Sequence, residues 1–516
     1  MQNISSRHSS EYSHPSALPF PIPETIQMTS EPCRTGRLEI DTNVHRRDLD
    51  TFPTPLRGHT TDTTCMRRLA PLTSSLRPTS TNLTMAPPPE PRNIVIIGGG
   101  IIGSTSAYFL SHHSAFDPSK HSITILEATK IAGGASGKAG GLLALWAYPS
   151  SIVPLSYRLH KELADKHGGA ERWGYRGVHC GQLEARGRKV SGPTVEGKED
   201  RATDEKDGGA LNGDGARVSL QKRTKEALGL LRAAGVPKDL DWVVPEAVRA
   251  YDEMGDPSTT AQVHPYLFTT AMAALAQEKG VKIVHGSATN INQNDAGTAV
   301  TSVSYTDKET GTPHTLPAST VVLAAGPWTQ QVYPAAPISA LRAHSVTIRP
   351  ARPVSAYALF TSIDLPRDFR SRTDEAKRSK RGHAQTVTPE IYARPNNEVY
   401  ACGEGDTLVP LPAHTGLVAV DEARAQDIVD YVSAISDELR DGEVTARQAC
   451  YLPNVSRGAG PLIGEASVRG LVVAAGHTCW GIQNGPATGK LVSEIVWEGG
   501  PKSASIAALD PKRVGL

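Results

Sequence analysis

A chain of 516 residues has room for about two to four ordinary domains or one large two-domain enzyme. Its 54 Lys+Arg nearly balance 53 Asp+Glu, and aromatic residues make up only 5% of it; this argues against a basic nucleic-acid surface and against an acidic tail, and leaves small molecules as the default partners. No apolar run approaches the roughly 20 residues of a bilayer span, no secretory signal opens the chain, and the six cysteines lack paired zinc-type spacing, so reduced thiols and no metal site are expected.

Residues 1–91 are rich in Ser, Thr, Pro, Arg and His, without sustained apolar periodicity, and read as a disordered extension or targeting segment. The piece MRRLAPLTSSLRPTSTNLT, Met66 to Thr84, lacks acidic residues, as a mitochondrial transit peptide does. The stretch before Met66 mixes acidic residues freely, which favours Met85 as the working start and a cytoplasmic location.

The first ordered signal is NIVIIGGGIIGSTSAYFL, Asn93 to Leu110: a short β-branched strand, glycines, then a helix. Gly98, Gly100 and Gly103 stand as G-x-G-x-x-G between strand and helix. The first permits a tight turn, the second lets backbone approach a pyrophosphate, and the third allows close helix–strand packing, while the helix N-terminus offers free N–H groups to phosphate. A second strand, ITILEA, ends in Glu127, at the offset of a carboxylate that accepts ribose hydroxyls; an acid there favours FAD or NAD over NADP.

Next comes a cluster of small residues, EATKIAGGASGKAGGLLA, in which Ser136, Gly140 and Gly141 can bring backbone N–H groups against a ring or a pyrophosphate. NAD enzymes need no such loop, so FAD is favoured. From here the chain resembles the D-amino-acid oxidase and sarcosine oxidase-like family of FAD-dependent oxidoreductases, in a fungal-type branch. The resemblance continues through QVHPYLFTTAMAALAQEKGVKIVHGSATNI, VVLAAGPW and GPLIGEASVRGLVVAAGHTCWGIQNGPATGK.

The resemblance implies an α/β architecture: a discontinuous, Rossmann-like FAD domain of glutathione-reductase type with an inserted mixed-sheet substrate domain. Residues 92–155, 256–335 and 447–500 would form the FAD domain. Residues 156–255, with a polar insertion at 187–219, and 336–446, with a basic loop at 366–385, would form the substrate domain, and 501–516 a C-terminal tail. In chain order, VKIVHGS, STVVLAAG and LVVAAG read as strands, PYLFTTAMAALAQEKG and PATGKLVSEIVWEG as helices.

By the same resemblance Gly98, Gly100, Ile101, Ile102, Gly103, Glu127 and Ala128 would hold the ADP half of FAD. Thr289 would present backbone to the adenine, Gly326 would lie near the pyrophosphate, and Gly476, His477, Gly481 and Ile482 would border the flavin. Cys450 falls where the sarcosine oxidase branch attaches its flavin through sulfur. Tyr392, Arg394 and Tyr451 occupy segments used around the substrate, and Trp480 would wall the active site; with His477 these are the catalytic candidates. Relatives that oxidise glycine carry arginine just before the corresponding proline, where this chain has Leu452, and GGLLALWAY lacks the sarcosine-type arginines. Arg394, Arg447 or Arg457 is left as an anchor for a substrate carboxylate.

The expected function is FAD-dependent oxidation of a small amine, amino acid or derivative, with oxygen as acceptor and no acid–base dyad required. The alternatives are an FAD-linked dehydrogenase that uses a carrier, a flavin-stabilised assembly or trafficking factor with little turnover, and an NAD-dependent dehydrogenase, which would be colourless.

Overall fold

The strand Asn93–Ile97 is buried at every residue after Asn93. A strand that is apolar on both faces belongs in the middle of a sheet covered on both sides, and this one is central among eight strands. The computed structural model that shows this describes residues 91–189, 235–367, 369, 386–458 and 460–516. The expectations for the N-terminal extension, for the insertion beyond Lys189 and for the basic loop beyond Arg367 fall almost wholly outside those residues.

Parallel partners flank the first strand, Ser122–Glu127 on one side and Thr320–Leu323 on the other. Lys282–Gln293 and Leu471–Ala475 extend the sheet outward, again parallel. The parallel core is thus assembled from three separate stretches of chain. Leu462–Glu465 closes one edge antiparallel, and Val300–Asp307 with Pro313–Pro317 continues the other as a meander. The strand predicted from VKIVHGS runs on to Gln293, because this meander gives its second half a partner.

One side of the parallel core is covered by the helices Ile101–Ser111 and Pro265–Gln277 and by the long C-terminal helix Gly481–Glu498, which share a core with the central strands. Small residues let the first and last of these approach closely. Thr105 Oγ1 donates to the Gly485 carbonyl at 2.8 Å, and a Cβ on Gly489 would stand 2.6 Å from the Thr105 carbonyl carbon.

The C-terminal helix begins at Gly481 rather than at Pro486, so it contains a proline in its interior. Proline has no N–H for the carbonyl four residues back and normally breaks a helix there. Here that carbonyl, Ile482 O, lies 2.9 Å from Nε2 of His160, a fully buried residue of the helix Val153–His167. A side chain distant in sequence replaces the missing donor, which is why the proline misled the sequence-based boundary.

A second sheet runs in the order Glu443–Val455, Ile338–Arg349, Glu398–Cys402, Glu390–Arg394, Tyr357–Asp364, His179–Arg186, Val248–Gly255. It is antiparallel except between Tyr357–Asp364 and His179–Arg186. One face packs on the helix Glu422–Ser433 and on Trp242. The other face carries Ala358, Tyr392 and Tyr400, which meet Leu142 just past the small-residue loop. The strand bearing Cys450 and Tyr451 pairs with Ile338–Arg349 along its length, so the chain stays in this sheet until Val455.

The helix–helix contact through Gly489 leaves no space for a larger residue. Gly489→Leu is expected to lower the urea midpoint at nearly unchanged slope, a loss of about 1–3 kcal/mol. Gly500→Ala, where a Cβ meets nothing within 4 Å, should leave the midpoint in place.

Candidate active site

The first strand ends in a turn that only glycine fits. Gly98 has φ +107°, and a Cβ on it would stand 2.4 Å from the carbonyl oxygen of Ala324, just past the end of the neighbouring strand. Gly103, one helical turn on, faces back onto this turn: its Cβ would lie 1.9 Å from Gly98 O. The helix is therefore pressed onto the strand end, and its N-terminus looks into a cavity that is partly open to solvent.

Two side chains shape the entry to that cavity. Glu127 holds its carboxylate by accepting from Gly99 N and Thr129 N, both at 2.8 Å, and from Thr129 Oγ1 at 3.0 Å. A carboxylate has about four lone-pair sites, so acceptor capacity remains toward the cavity it lines. Ser136 Oγ reaches from the small-residue loop to accept from Ile101 N at 2.9 Å, capping the helix where Gly100 offers no side chain. On the opposite wall Gly326 has φ +55° with nothing within 4 Å of a Cβ, so the backbone is bare toward the cavity.

Gly98, Gly100, Ile101, Ile102, Glu127, Ala128, Ser136, Gly326, Gly476, His477, Gly481 and Ile482 all line this one cavity. Gly103 lies behind it, against Gly98. Thr289 sits exposed at a bulge between paired strands, while its neighbours Gly286, Ser287 and Ala288 line the wall. Trp328, His414 and Thr415 also line it; no local pattern marks the last two, which come from a loop far along the chain. The elongated, glycine-walled space fits a dinucleotide.

The other singled-out residues do not line it. Gly140 lies under the ring of Tyr392, whose Cε2 would be 2.0 Å from a Cβ there, and Gly141 packs on the Val263 carbonyl. Arg394 is buried and fully engaged: it donates to Gly140 O at 3.2 Å and to Ala139 O, pairs with Glu398 at 2.8 Å, and lies over the Tyr400 ring. Arg447 bonds Gln426 at 2.6 Å, and Arg457 is exposed; none of the three arginines lines the cavity. Tyr451 donates to the carbonyls of Val409 and Pro410, at 3.0 Å each, and holds a loop.

Cys450 is buried beside Lys138, whose Nζ donates to Ala449 O at 2.8 Å. Burial pushes the Cys450 thiol up to about 11 against the opposing pull of Lys138, and the residue does not line the cavity. The described cysteines Cys180, Cys402, Cys450 and Cys479 are free, and among the described residues no group of His, Cys, Asp and Glu is placed to hold a metal. Trp480 packs at the cavity mouth against Trp146 and Tyr148. Trp146, Phe360 and Glu390, which border Tyr392 and Trp480, escaped sequence reasoning because they come together only through tertiary packing, Glu390 and Phe360 by cross-strand pairing and Trp146 from a turn after Leu142–Ala144.

Fold and cavity together define a dinucleotide-dependent oxidoreductase. The chain matches the DAO family, FAD dependent oxidoreductase, over residues 93–495. It is 36% identical over 513 residues to a Saccharomyces cerevisiae protein named as an oxidoreductase, TDA3, covering 82% of this chain and 94% of that one. A Schizosaccharomyces pombe protein also named as an oxidoreductase is 34% identical, covering 82% and 98%. Among solved structures it is similar to glycine oxidase from Geobacillus kaustophilus (TM-score 0.54, 19% identity, covering 81% and 98%) and to L-proline dehydrogenase from P. horikoshii (TM-score 0.54, 17%, covering 82% and 98%). The chain belongs to the DAO family of FAD-dependent oxidoreductases.

His477 is 4% exposed, its Nε2 lies 2.9 Å from Thr488 Oγ1, and burial pushes it down to about 3. His160 is likewise pushed down to about 4. The unfolded chain, with ordinary histidines near about 6.5, takes up protons first, so the stability from these sites is complete above that pH and is lost as pH falls toward 4. Urea unfolding should show ΔG dropping by up to about 1.4 kcal/mol per pH unit per histidine in that window. In His477→Gln the slope should shrink by about one proton.

Proposed function

We propose that this FAD-dependent oxidoreductase removes two electrons from a small amine or amino-acid derivative and passes them to oxygen. One observation carries the reading. Thr478, Cys479, Gly481 and Ile482 line the cavity, and Trp480 between them packs against the aromatic face of the second sheet, so a substrate bound beside that face would adjoin the cofactor space. Proteins of similar fold named glycine oxidase, iminodiacetate oxidase and L-amino acid deaminase support an amine as the reductant.

FAD, when bound, supplies the hydride acceptor, so the chain needs to bind, orient and exclude water rather than provide an acid–base pair. In this reading the backbone at Gly100 and Ile102, at the start of the helix, and the bare backbone at Gly326 would hold the pyrophosphate. Glu127 takes the ribose hydroxyls, and Ala128 with the segment up to Thr289 flanks the adenine. Ser136 and Ala139 of the small-residue loop, with Gly476, Gly481 and Ile482, line the cavity and would border the ring, while Gly140 and Gly141 are taken up by Tyr392 and the Val263 carbonyl. His477 stays neutral and fixes the turn after Gly476 through Thr488. Cys450 keeps its proton away from the cavity wall, so the flavin is held without a covalent bond. Arg394 braces the loop carbonyls and is not available to a substrate carboxylate.

The purified full chain is expected to be yellow and to release its colour to the supernatant on acid precipitation. Colour kept in the pellet would instead point to Cys450. Anaerobic addition of an amine panel should bleach the flavin with at least one member, and air should restore the colour with release of peroxide. Colour that every amine leaves unchanged would overturn the reading in favour of a flavin-stabilised assembly factor. Glu127→Ala, which removes the acceptor for Gly99 N and Thr129 N, should lower FAD retention by roughly tenfold or more, read as the 450-nm to 280-nm absorbance ratio.

A further inference from the structure

On the face of the second sheet that meets the small-residue loop, Glu390 pairs with Phe360 on one neighbouring strand and with Cys402 on the other. Residues paired across strands project to the same side, so a carboxylate stands in a row of apolar and sulfur side chains. Its Oε2 accepts from the Tyr392 hydroxyl and lies 3.8 Å from Cys402 Sγ. Among the described residues Oε1 has no hydrogen-bond partner, and no lysine, arginine or histidine pairs with the carboxylate. Glu390 is half-buried, and a partly desolvated carboxylate with neither a cation nor a full set of hydrogen bonds favours a cation at its open side. Burial without a counter-charge pushes the Glu390 carboxyl above its usual range.

Aromatic rings lead outward from it. Tyr392 and Phe360 have centroids 6.1 Å apart, Phe360 and Trp146 5.9 Å, and Trp146 and Trp480 5.5 Å. Trp146 is 38% exposed, so the row opens to solvent at that end, and Trp480 follows Thr478 and Cys479, which line the cofactor cavity. Aromatic faces attract cations, tryptophan most strongly. The cations that border this face are committed elsewhere, Arg394 to Glu398 and the loop carbonyls and Lys138 to Ala449 O.

We propose that Glu390 and this aromatic row recognise the substrate, and that they select an amine arriving as an ammonium ion beside an apolar group, with no carboxylate that must be anchored. The inference rests on the amine oxidation proposed above for the reaction alone; the recognition stands on the row itself.

Benzyltrimethylammonium is a suitable probe, because a quaternary nitrogen has no lone pair to assist hydride loss and the compound binds without turnover. Titrated into the full-length, FAD-loaded protein, it should quench tryptophan fluorescence saturably. Its neutral isostere neopentylbenzene should bind roughly tenfold or more weakly, and benzoate not measurably. Glu390→Gln keeps an acceptor for Tyr392 yet should weaken the cation by roughly tenfold or more while leaving neopentylbenzene unchanged. Glu390→Asp should retain the preference for the cation. Thermal unfolding checks that each variant is folded, and Trp146→Leu, at the exposed end, should weaken the cation more than the isostere even if the Glu390 variants do not fold.

Equal cation affinity in wild type and Glu390→Gln, or tighter binding of benzoate than of the cation, overturns the inference. Glu390-dependent binding in a protein that no amine bleaches keeps this inference and removes the proposed reaction. Bleaching by amines with unaltered probe binding in Glu390→Gln does the reverse.

Discussion

The contact on which the rest depends is the one between position 103 and the Gly98 carbonyl. With a hydrogen in place of a Cβ, the helix Ile101–Ser111 lies close enough to the end of the first strand to direct its N-terminal N–H groups into the cavity. Two further contacts depend on that placement. Ser136 can reach Ile101 N only because the helix start is there, and the Thr105 side of the same helix is the surface on which Gly485 and Gly489 of the C-terminal helix settle. The turn from Gly476 to Trp480, which precedes that helix, is carried to the cavity as a consequence.

The second sheet is fastened to this assembly at a narrower point. Gly140 admits the Tyr392 ring, and Arg394, two residues along the same strand, donates to the carbonyls of Ala139 and Gly140. An arginine engaged by two carbonyls, one carboxylate and one aromatic ring is held from several directions at once. It acts as a brace between the loop and the sheet. The sequence singles it out as a candidate carboxylate anchor because a guanidinium suits that role; which of several acceptors an arginine meets is decided by tertiary contacts that its neighbours in sequence do not encode.

The boundary between features legible in the sequence and features hidden from it runs along the same division. The parallel sheet was legible because its strands are short, β-branched and separated by glycine turns, and the DAO-type FAD fold because Gly98, Gly100, Gly103 and Glu127 keep their spacing within one local unit. The start of the last helix was not, because Pro486 is tolerated only through His160, a residue hundreds of positions earlier. Glu390 was invisible for a related reason. A single glutamate in the segment PEIYARP looks like a solvated strand residue until cross-strand pairing sets Phe360 and Cys402 on either side of it.

The pairing of His160 with the Ile482 carbonyl makes two positions in distant parts of the chain a single inherited unit. While Pro486 is present, losing the imidazole leaves a buried carbonyl without a donor; once Pro486 is replaced by a residue with an N–H, the helix closes its own bond and the imidazole becomes a buried polar group that an apolar side chain could replace. The effect of a change at residue 160 therefore reverses sign with the residue at 486, a coupling expected of groups that share one partner. A lineage can cross between the two solutions most easily by changing the proline first, so the order of substitution at this helix is constrained by a hydrogen bond that neither residue reveals alone.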